Sequence, residues 1–384
     1  MNVKEIMESV LDFAQKLPER SADLEKERRL PVDLSKEIAS RGFYRMLVPL
    51  EYGGFELSPQ SYINVLKKLA TGDASAAWNV MIGSTTGLLS ASLPEKFACR
   101  IYKDNPEVMT VGVTAPMGRA KRVDGGYQIS GIWPFASGCQ NADWICGGSY
   151  IFDGEEPLLN NRGIPDIHLM IFESSQVSIK DTWNVSGLKG TGSHHFEVVD
   201  EFVPEGRSVI LGGKARIDKP LYRFPMLGLL ALGIGGVALG TGYQAIAAFK
   251  EMASSKKPSG STRSLAQRSA VQSDLARSEA DLYSAESFVN ETVGQAWKMA
   301  ENGESLNSET KARLRLAALT ATHNSVAAVD RMYQAGGGAS IYDSNVLQRC
   351  FRDIHSMTQH IMVANPVYEV VGRVSLGIDE SNML

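Results

Sequence analysis

The stretch that decides the fold lies near the C-terminus and reads Arg349-Cys350-Phe351-Arg352-Asp353-Ile354-His355-Ser356-Met357-Thr358-Gln359-His360. It follows a glycine cluster at 336–338 and a turn sequence at 342–345. If the stretch is one helix, His355 and His360 are five residues apart and point in different directions. Imidazole titrates near neutrality and can transfer protons. Two interpretations of His360 are therefore open: an acid–base group, or a hydrogen-bonded helix histidine.

The composition is that of an ordinary globular protein. The chain has 384 residues, of which 43% are hydrophobic and 21% charged, and its formal net charge is -4. No basic block follows the pattern of a phosphate-binding surface, so nucleic acid is not an expected partner. The four cysteines, Cys99, Cys139, Cys146 and Cys350, form no CxxC pair. Together with charged residues at the N-terminus, this favours a reducing, cytoplasmic location over secretion.

The hydrophobic period changes twice along the chain. Residues 1–108 have helical periodicity, with Pro31, Ser58-Pro59 and Asp73 at predicted helix starts. Residues 109–212 contain short strand-like runs, and Asp124-Gly125 is typical of a hairpin turn. Residues 213–384 return to long helical segments. The sequence therefore predicts a mainly α protein with a central β-domain, which is a small barrel or sandwich.

One segment permits a second interpretation of the C-terminal part. From Phe224 to Phe249 no residue is charged, and Gly236 and Gly240 form a GxxxG step. Length and glycine spacing would allow a membrane helix. A buried helix of a bundle fits better, since Thr241 and Gln244 interrupt the run and the chain has no second segment of this kind.

Three further motifs carry a family resemblance. They are Val113-Thr114-Ala115-Pro116, Gly131-Ile132-Trp133-Pro134-Phe135-Ala136-Ser137-Gly138-Cys139, and the block at 181–193 that precedes Phe202-Val203-Pro204. Together with the order helices, β-domain, helices, they resemble the acyl-CoA dehydrogenase superfamily along nearly the whole chain. The resemblance implies an N-terminal helical domain, a β-barrel and a C-terminal four-helix bundle.

The residue after His360 separates the branches of this superfamily. In an acyl-CoA dehydrogenase, a catalytic Glu follows the Asp that matches Asp353 by eight residues, and here that position is Ile361. The missing carboxylate and the Trp-x-Phe-x-Ser-Gly loop resemble the two-component flavin-dependent monooxygenases, which include aromatic hydroxylases, dibenzothiophene monooxygenases and indole oxygenases. In these proteins a separate NAD(P)H-dependent reductase supplies FADH2 or FMNH2. O2 then forms a C4a-hydroperoxyflavin that oxygenates a small, usually aromatic or heteroaromatic substrate.

The resemblance assigns roles to individual residues. It implies that His360 is the acid–base group and that the Ser137 hydroxyl donates a hydrogen bond near flavin N5. Trp133 and Phe135 are expected to pack against the flavin ring, and Thr114 to contact its pyrimidine side. Turn-forming or core roles are the alternatives for Ser137, Trp133 and Phe135.

A second set of residues is expected at the flavin phosphates and the substrate. Arg263 and Ser264 resemble phosphate contacts, and Gln334, Gly336 and Gly337 resemble adenine or pyrophosphate contacts shared between subunits of a homotetramer. The alternatives are a solvated arginine and a helix-terminating turn. Trp78 and Asn79 are predicted to line the substrate pocket.

The remaining polar residues of these motifs are given structural roles. Arg352 and Asp353 are predicted to form an ion pair, and His355 to be a supporting or subunit contact. The pair His194-His195 is not predicted to bind a metal, because adjacent strand residues point to opposite faces.

Two other functions stay open at this point. An acyl-CoA dehydrogenase-type FAD flavoprotein would need another base, such as Glu369, and both Ile361 and Met362 argue against it. A helical membrane or scaffold protein with vestigial flavin motifs is the third possibility.

Overall fold

The computed structural model describes residues 3–160, 163–257 and 260–378. Before the sheet the helices are α1 Val3–Glu27, α2 Val32–Ser40, α3 Pro59–Ala70, α4 Ala74–Gly87 and α5 Glu95–Ala98. The strands are β1 Thr110–Val123, β2 Gly126–Ala136, β3 Trp144–Asp153, β4 Glu156–Pro157, β5 Ile167–Glu173, β6 Ser178–Lys180, β7 His194–Pro204 and β8 Ser208–Ile210. After the sheet come α6 Pro220–Arg223, α7 Met226–Ser255, α8 Ser269–Glu301, α9 Ser308–Gly336, α10 Val346–Met357 and α11 Pro366–Ser375.

The predicted fold class is confirmed, and the secondary structure changes close to the predicted points. The first strand begins at Thr110 and the last ends at Ile210. The division into three domains stays a prediction, because one hydrophobic core cluster contains residues of all three parts.

Helix α4 is the central element of the N-terminal part. The Asp73 side chain caps it by accepting a hydrogen bond from the Ala76 N–H, and also accepts one from the Ser21 hydroxyl at 2.7 Å. Every residue of the helix is buried. It packs against α3, α7 and strand β1, so that its side chains lie where the three parts of the chain meet.

The strands form one sheet in the order β6-β7-β2-β1-β3-β5-β8, and β4 pairs with β3. Among the described residues the sheet follows an open path from β6 to β8. The β1–β2 connection is the predicted two-residue turn, with Val123 opposite Gly126 and Gly125 at φ +73°. The pairing of β1 with β3 shifts register between Val113 and Gly118. This irregularity places Thr114 and Ala115 in a bulge, where a Cβ at Gly148 would collide with the Thr114 carbonyl oxygen.

Helix α7 contains the uncharged run and is long and apolar enough to cross a membrane. Most of its residues are buried in the protein core, between α3, α4, α9 and α10. A Cβ at Gly240 would collide with the Lys67 carbonyl oxygen of α3, and one at Gly236 would press on Ile63. The glycines of the GxxxG step therefore allow close packing of α7 against α3 inside the molecule.

The predicted Arg352–Asp353 ion pair is wrong. Arg352 instead forms a salt bridge with Glu25 of α1 at 2.6 Å and donates to the Ser186 carbonyl oxygen at 2.6 Å. The buried Asp353 carboxylate accepts a hydrogen bond from the Leu188 N–H at 2.6 Å. Both side chains point from α10 towards the segment that leads into β7, so they connect the helical bundle with the β-domain.

We expect Asp353→Ala to lower the free energy of unfolding by about 1–3 kcal/mol, because it leaves the buried Leu188 N–H without an acceptor. Asp353→Asn keeps an acceptor oxygen and should lose less. Urea denaturation of both variants measures the difference.

The stability difference between wild type and the two Asp353 variants should also depend on pH. Burial raises the pKa of Asp353 to about 7. The native state therefore holds this proton more tightly than the unfolded chain, and the contribution to stability is lost as the pH rises through about 7. The free energy of unfolding of Asp353→Asn should lie nearest to that of wild type at pH 8. Equal losses for Ala and Asn at every pH would contradict the role given to Asp353.

Candidate active site

A chain of hydrogen-bonded side chains connects α4 with the β-domain. The Trp78 Nε1–H donates to Ser137 Oγ at 3.1 Å, Ser137 Oγ lies 2.7 Å from Ser193 Oγ, and Ser193 Oγ lies 2.6 Å from Thr191 Oγ1. The Thr191 hydroxyl donates to the Leu188 carbonyl oxygen at 2.8 Å. All four side chains are buried. The structure thus brings together the predicted residues Trp78 and Ser137 and adds two hydroxyls that sequence reasoning missed.

His360 joins this group through its contact with Trp78. Its ring packs edge-on against the Trp78 ring, with centroids 5.7 Å apart. It lies in the turn after α10, where its Nδ1 accepts a hydrogen bond from the Met362 N–H at 3.2 Å. Because Nδ1 is an acceptor, the neutral ring carries its hydrogen on Nε2.

Two effects keep this imidazole uncharged. Burial, and secondarily the positive charge of Arg315, lower the pKa of His360 to about 4. Arg315 is itself 1% exposed and donates to the Met362 carbonyl oxygen at 3.1 Å. At neutral pH the ring is therefore uncharged, its Nδ1 lone pair is occupied by the Met362 N–H, and the nitrogen left for a ligand, Nε2, carries a hydrogen. The next side chain, Ile361, is 65% exposed and cannot transfer a proton.

Phe135 has a strained backbone and an open side chain. Its φ is +65°, an uncommon value for an aromatic residue, and its side chain is 67% exposed. The Trp183 and His195 rings approach it edge-on, with centroids 6.3 and 6.2 Å away. The pairing of β2 with β7 shifts register between Trp133 and Ala136, which spans this residue. The result is an exposed aromatic ring close in sequence to Ser137.

Two of the predicted contacts need correction. Trp133 is 0% exposed, stacks on Phe196 at 4.7 Å and donates its indole N–H to the Gly148 carbonyl oxygen at 2.7 Å. It is a core residue of the β-domain with no surface left for a flavin. Asn79 is also fully buried, and its amide donates to the Ser75 and Gly190 carbonyl oxygens. It therefore holds the Gly190 turn and does not line a pocket.

The hydroxyl of Ser137 already has partners within the protein. Its oxygen accepts from Trp78 and lies within hydrogen-bond distance of Ser193, so its hydrogen bond to a flavin stays a prediction. Thr114 stays a predicted flavin contact. It lies in the β1 bulge and is only half-buried.

The predicted phosphate contacts lie together at another end of the molecule. Lys256, just after α7, accepts a hydrogen bond from Leu265 N–H on its carbonyl oxygen, and its Nζ donates to the Gly336 carbonyl oxygen at 2.5 Å. The Arg263–Ser264 loop and the turn of Gln334, Gly336 and Gly337 are thereby connected. Arg263, Gln334 and Gly337 are exposed. Ser264 caps a short 3-10 helix, and Gly336 is buried against Ser340.

These contacts are far from His360 within one chain. Helix α9 carries Arg315 near its beginning and Gly336 at its end. The intervening 21 residues correspond to about 30 Å at 1.5 Å per residue. One chain therefore does not place both sets of residues around the same small ring.

The other histidines have structural partners. His355 Nε2 lies 2.9 Å from Asp330 of α9. The buried His194 accepts hydrogen bonds from the Thr182 and Trp183 N–H groups on Nδ1, and burial lowers its pKa. Among the described residues no group of histidines, cysteines and carboxylates could hold a metal ion.

A cleft of about 1310 Å³ lies elsewhere, between β5, β8, the segment before α7 and the start of α9. Its wall includes Leu88 and Leu89, ten and eleven residues beyond Trp78, which is about 15 Å along the helix direction. None of its lining residues belongs to the hydrogen-bonded chain.

The missed residues left weak signals in the sequence. Thr191 and Ser193 stand in a glycine-rich block where hydroxyl groups are common turn formers. Arg315 was more conspicuous, since Ala312, Ala318 and Leu319, three or four residues away on the same helix face, are apolar and buried.

We expect the stability of the protein to fall as the pH drops below 6.5, in part because of His360. Between pH 6.5 and about 4 the unfolded chain binds a proton at this side chain and the native state does not. The loss can reach about 1.4 kcal/mol per pH unit. His360→Gln lacks this titration, whereas His168 and His194 titrate alike in both proteins and cancel in the difference. Urea denaturation of wild type and variant at pH 8 and pH 5 tests this, and parallel losses would contradict a neutral His360 in the native state.

Comparisons with known proteins identify the family. Residues 2–95 match the family described as acyl-CoA dehydrogenase, N-terminal domain, and residues 232–365 match acyl-CoA dehydrogenase, C-terminal domain. Indole-3-acetate monooxygenase of Pseudomonas putida is 30% identical over 358 residues, which cover 93% of this chain and 90% of the relative. The flavin-dependent monooxygenase, oxygenase subunit HsaA, of Rhodococcus jostii is 27% identical, covering 90% of this chain and 91% of the relative.

Among solved structures, XiaF from a Streptomyces species in complex with FADH2 and glycerol has a TM-score of 0.90 and 26% identity, over 98% of this chain and 96% of that one. The motifs, the fold and these similarities lead to one conclusion. The chain belongs to the acyl-CoA dehydrogenase superfamily and, within it, to the flavin-dependent monooxygenases.

Proposed function

We propose that the protein is the oxygenase component of a two-component system, in which a separate NAD(P)H-dependent reductase supplies FADH2 or FMNH2. One atom of O2 enters the substrate and the other leaves as water. The observation that carries the proposal is the neutral His360 ring on Trp78, beside a position where a dehydrogenase would carry a carboxylate.

The residues present fit a flavin ring. Phe135 offers an exposed aromatic face, and Thr114 lies in a bulge where the strand pairing is interrupted. Ser137, at the end of the loop that contains Phe135, carries a hydroxyl suited to a ring nitrogen. Reduced flavin, when bound there, would supply the electrons that activate O2. The described residues themselves bind and orient the ring, and His360 offers the hydrogen on its Nε2 as the group's proton donor.

The substrate is proposed to be a small aromatic or heteroaromatic molecule. The relatives are named for indole-3-acetate and, in one case, for resorcinol, which are both aromatic. The partly buried His360 ring beside Trp78 suits such a substrate, because its Nε2–H can donate to a phenol oxygen and supply a proton during the reaction.

A dehydrogenase function is less well supported by the site. Ile361 occupies the carboxylate position, and the alternative base Glu369 is exposed on α11. A membrane or scaffold function has no support in α7, which is buried in the core.

The activity is tested by mixing the protein with anaerobically reduced FAD or FMN, adding ¹⁸O2, and analysing products from a panel of phenols and indoles. We expect one labelled oxygen in a product. Its absence across the panel, together with tight binding of oxidised FAD and oxidation of an acyl-CoA, would favour a dehydrogenase.

His360→Ala should lower the rate of product formation about a hundredfold, since general acid–base help is typically worth at least that factor in rate. Reduced flavin should still bind. His360→Asn should behave like Ala, because it restores hydrogen bonding without proton transfer. Glu369→Gln is the matched control and should retain wild-type turnover. If Glu369→Gln loses turnover and His360→Ala retains it, Glu369 is the acid–base group.

The assembly is proposed to be a cytoplasmic homotetramer. The Arg263–Ser264 loop and the Gln334–Gly337 turn lie about 30 Å along α9 from the His360 end, so they would serve a flavin held mainly by another subunit. Ile341 and Tyr342, next to that turn, are exposed and apolar. Light scattering should give four times the mass of 41.7 kDa. A monomer that is stable on dilution would remove the roles given to Arg263 and Gln334.

A further inference from the structure

We propose that Thr191 and Ser193 are positioning residues that fix the direction of the Ser137 hydroxyl, and that they thereby make the site prefer reduced flavin to oxidised flavin. The inference rests on the proposed function, because it needs a flavin nitrogen at Ser137. It concerns two side chains that do not themselves contact the ring.

The direction of the chain follows from counting hydrogens. A hydroxyl has one hydrogen and two lone pairs. Thr191 Oγ1 lies in donor geometry 2.8 Å from the Leu188 carbonyl oxygen, which can only accept, so we assign the Thr191 hydrogen to this bond, beside the donors Trp183 Nε1–H and Thr191 N–H. Thr191 must then accept from Ser193 at 2.6 Å. Ser193, whose hydrogen is used, must in turn accept from Ser137 at 2.7 Å.

The same count fixes what Ser137 can offer. Its hydrogen goes to Ser193, and one lone pair accepts from the Trp78 indole N–H, which can only donate. No other hydrogen-bond partner of Ser137 Oγ is found in the part of the chain that the structure describes. One lone pair remains. Towards a bound ligand, Ser137 is therefore an acceptor and not the donor that its loop position suggested.

An acceptor distinguishes the two states of a flavin. N5 of reduced flavin carries a hydrogen and can donate to Ser137. N5 of oxidised flavin carries only a lone pair, which would face the lone pair of Ser137. Burial of the four side chains strengthens the distinction, since water cannot easily supply the missing hydrogen. An oxygenase that receives reduced flavin and must release oxidised flavin benefits from this preference.

Thr191→Val is the sharpest test, because valine has nearly the shape of threonine and lacks the hydroxyl. The Leu188 carbonyl oxygen keeps donors in the Trp183 indole N–H at 3.1 Å and the Thr191 backbone N–H at 3.1 Å. Ser193 then loses its acceptor and can donate to Ser137. With both lone pairs used, Ser137 would turn its hydrogen towards the ligand. The substitution, made two hydrogen bonds away from Ser137, should therefore reverse the preference for reduced over oxidised flavin.

The measurement is binding and not turnover. Oxidised and anaerobically reduced FAD and FMN are titrated separately into wild type and Thr191→Val, and the midpoint potential of the bound flavin is recorded. We expect the ratio of reduced to oxidised affinity to fall about tenfold in the variant, which for a two-electron couple lowers the midpoint potential by about 30 mV. Thr191→Ser keeps the hydroxyl and should retain the wild-type ratio. Ser193→Ala also releases the Ser137 hydrogen, so it should shift in the same direction as Thr191→Val, and it serves as the test if the valine variant does not fold.

The outcomes separate the two proposals. If reduced flavin binds and the ratio is unchanged in both Thr191→Val and Ser193→Ala, the positioning role is wrong and the proposed function stands. If Thr191→Ser shifts as far as Thr191→Val, the effect comes from packing and the role is also wrong. If wild type binds neither flavin in either redox state, the proposed function fails and the positioning role fails with it.

Discussion

The hydrogen bond between the buried Asp353 carboxylate and the Leu188 N–H is the contact on which the rest of the site depends. It joins α10 of the bundle to the turn before β7. The Leu188 carbonyl oxygen of the same residue accepts the Thr191 hydroxyl, and from there the hydroxyl chain leads to Ser137. A carboxylate at one end thus fixes the position of a turn, and the turn fixes the direction of a chain of hydroxyls. Arg352, beside Asp353, holds the same turn through the Ser186 carbonyl oxygen.

His360 and the side chains of the hydroxyl chain are polar yet uncharged. The His360 pKa is lowered to about 4 by burial and by Arg315, so the ring is neutral at physiological pH. Serine and threonine hydroxyls and an indole N–H supply the remaining polarity. Such groups keep a fixed direction at little desolvation cost, whereas a buried carboxylate would be strongly destabilised unless it were paired. A site of this kind controls where protons go without placing a permanent negative charge beside an electron-rich ring.

The sequence was a good guide wherever local rules decide the structure. The Ser58 and Asp73 caps and the Asp124-Gly125 hairpin turn lie where the residue types predict, and the change of hydrophobic period located the sheet. The direction in which side chains point was harder to predict from the sequence. In a regular strand Trp133, Phe135 and Ser137 would point to one face. The register shift and the positive φ at Phe135 break that alternation, so Trp133 lies in the core and Phe135 in the open. No residue-type rule predicts where such a shift falls.

The same tertiary origin explains the other differences. The partners of Arg352, Asp353 and Asn79 come from segments more than a hundred residues away along the chain. Spacing within a motif could not identify them.

The backbone around the hydroxyl chain is strained, and this strain has a purpose. Phe135 and Leu188 both have left-handed φ values, +65° and +53°, which cost of order 1 kcal/mol or more in a residue with a side chain. The two residues lie at opposite ends of the chain: Phe135 precedes Ser137, and Leu188 accepts from Thr191. A relaxed backbone at either place would turn the hydroxyls away from one another. The buried contacts of Asp353 and Trp78 hold both ends in place. The free energy released by packing the helices against the sheet therefore maintains the one geometry in which Trp78, Ser137 and His360 meet.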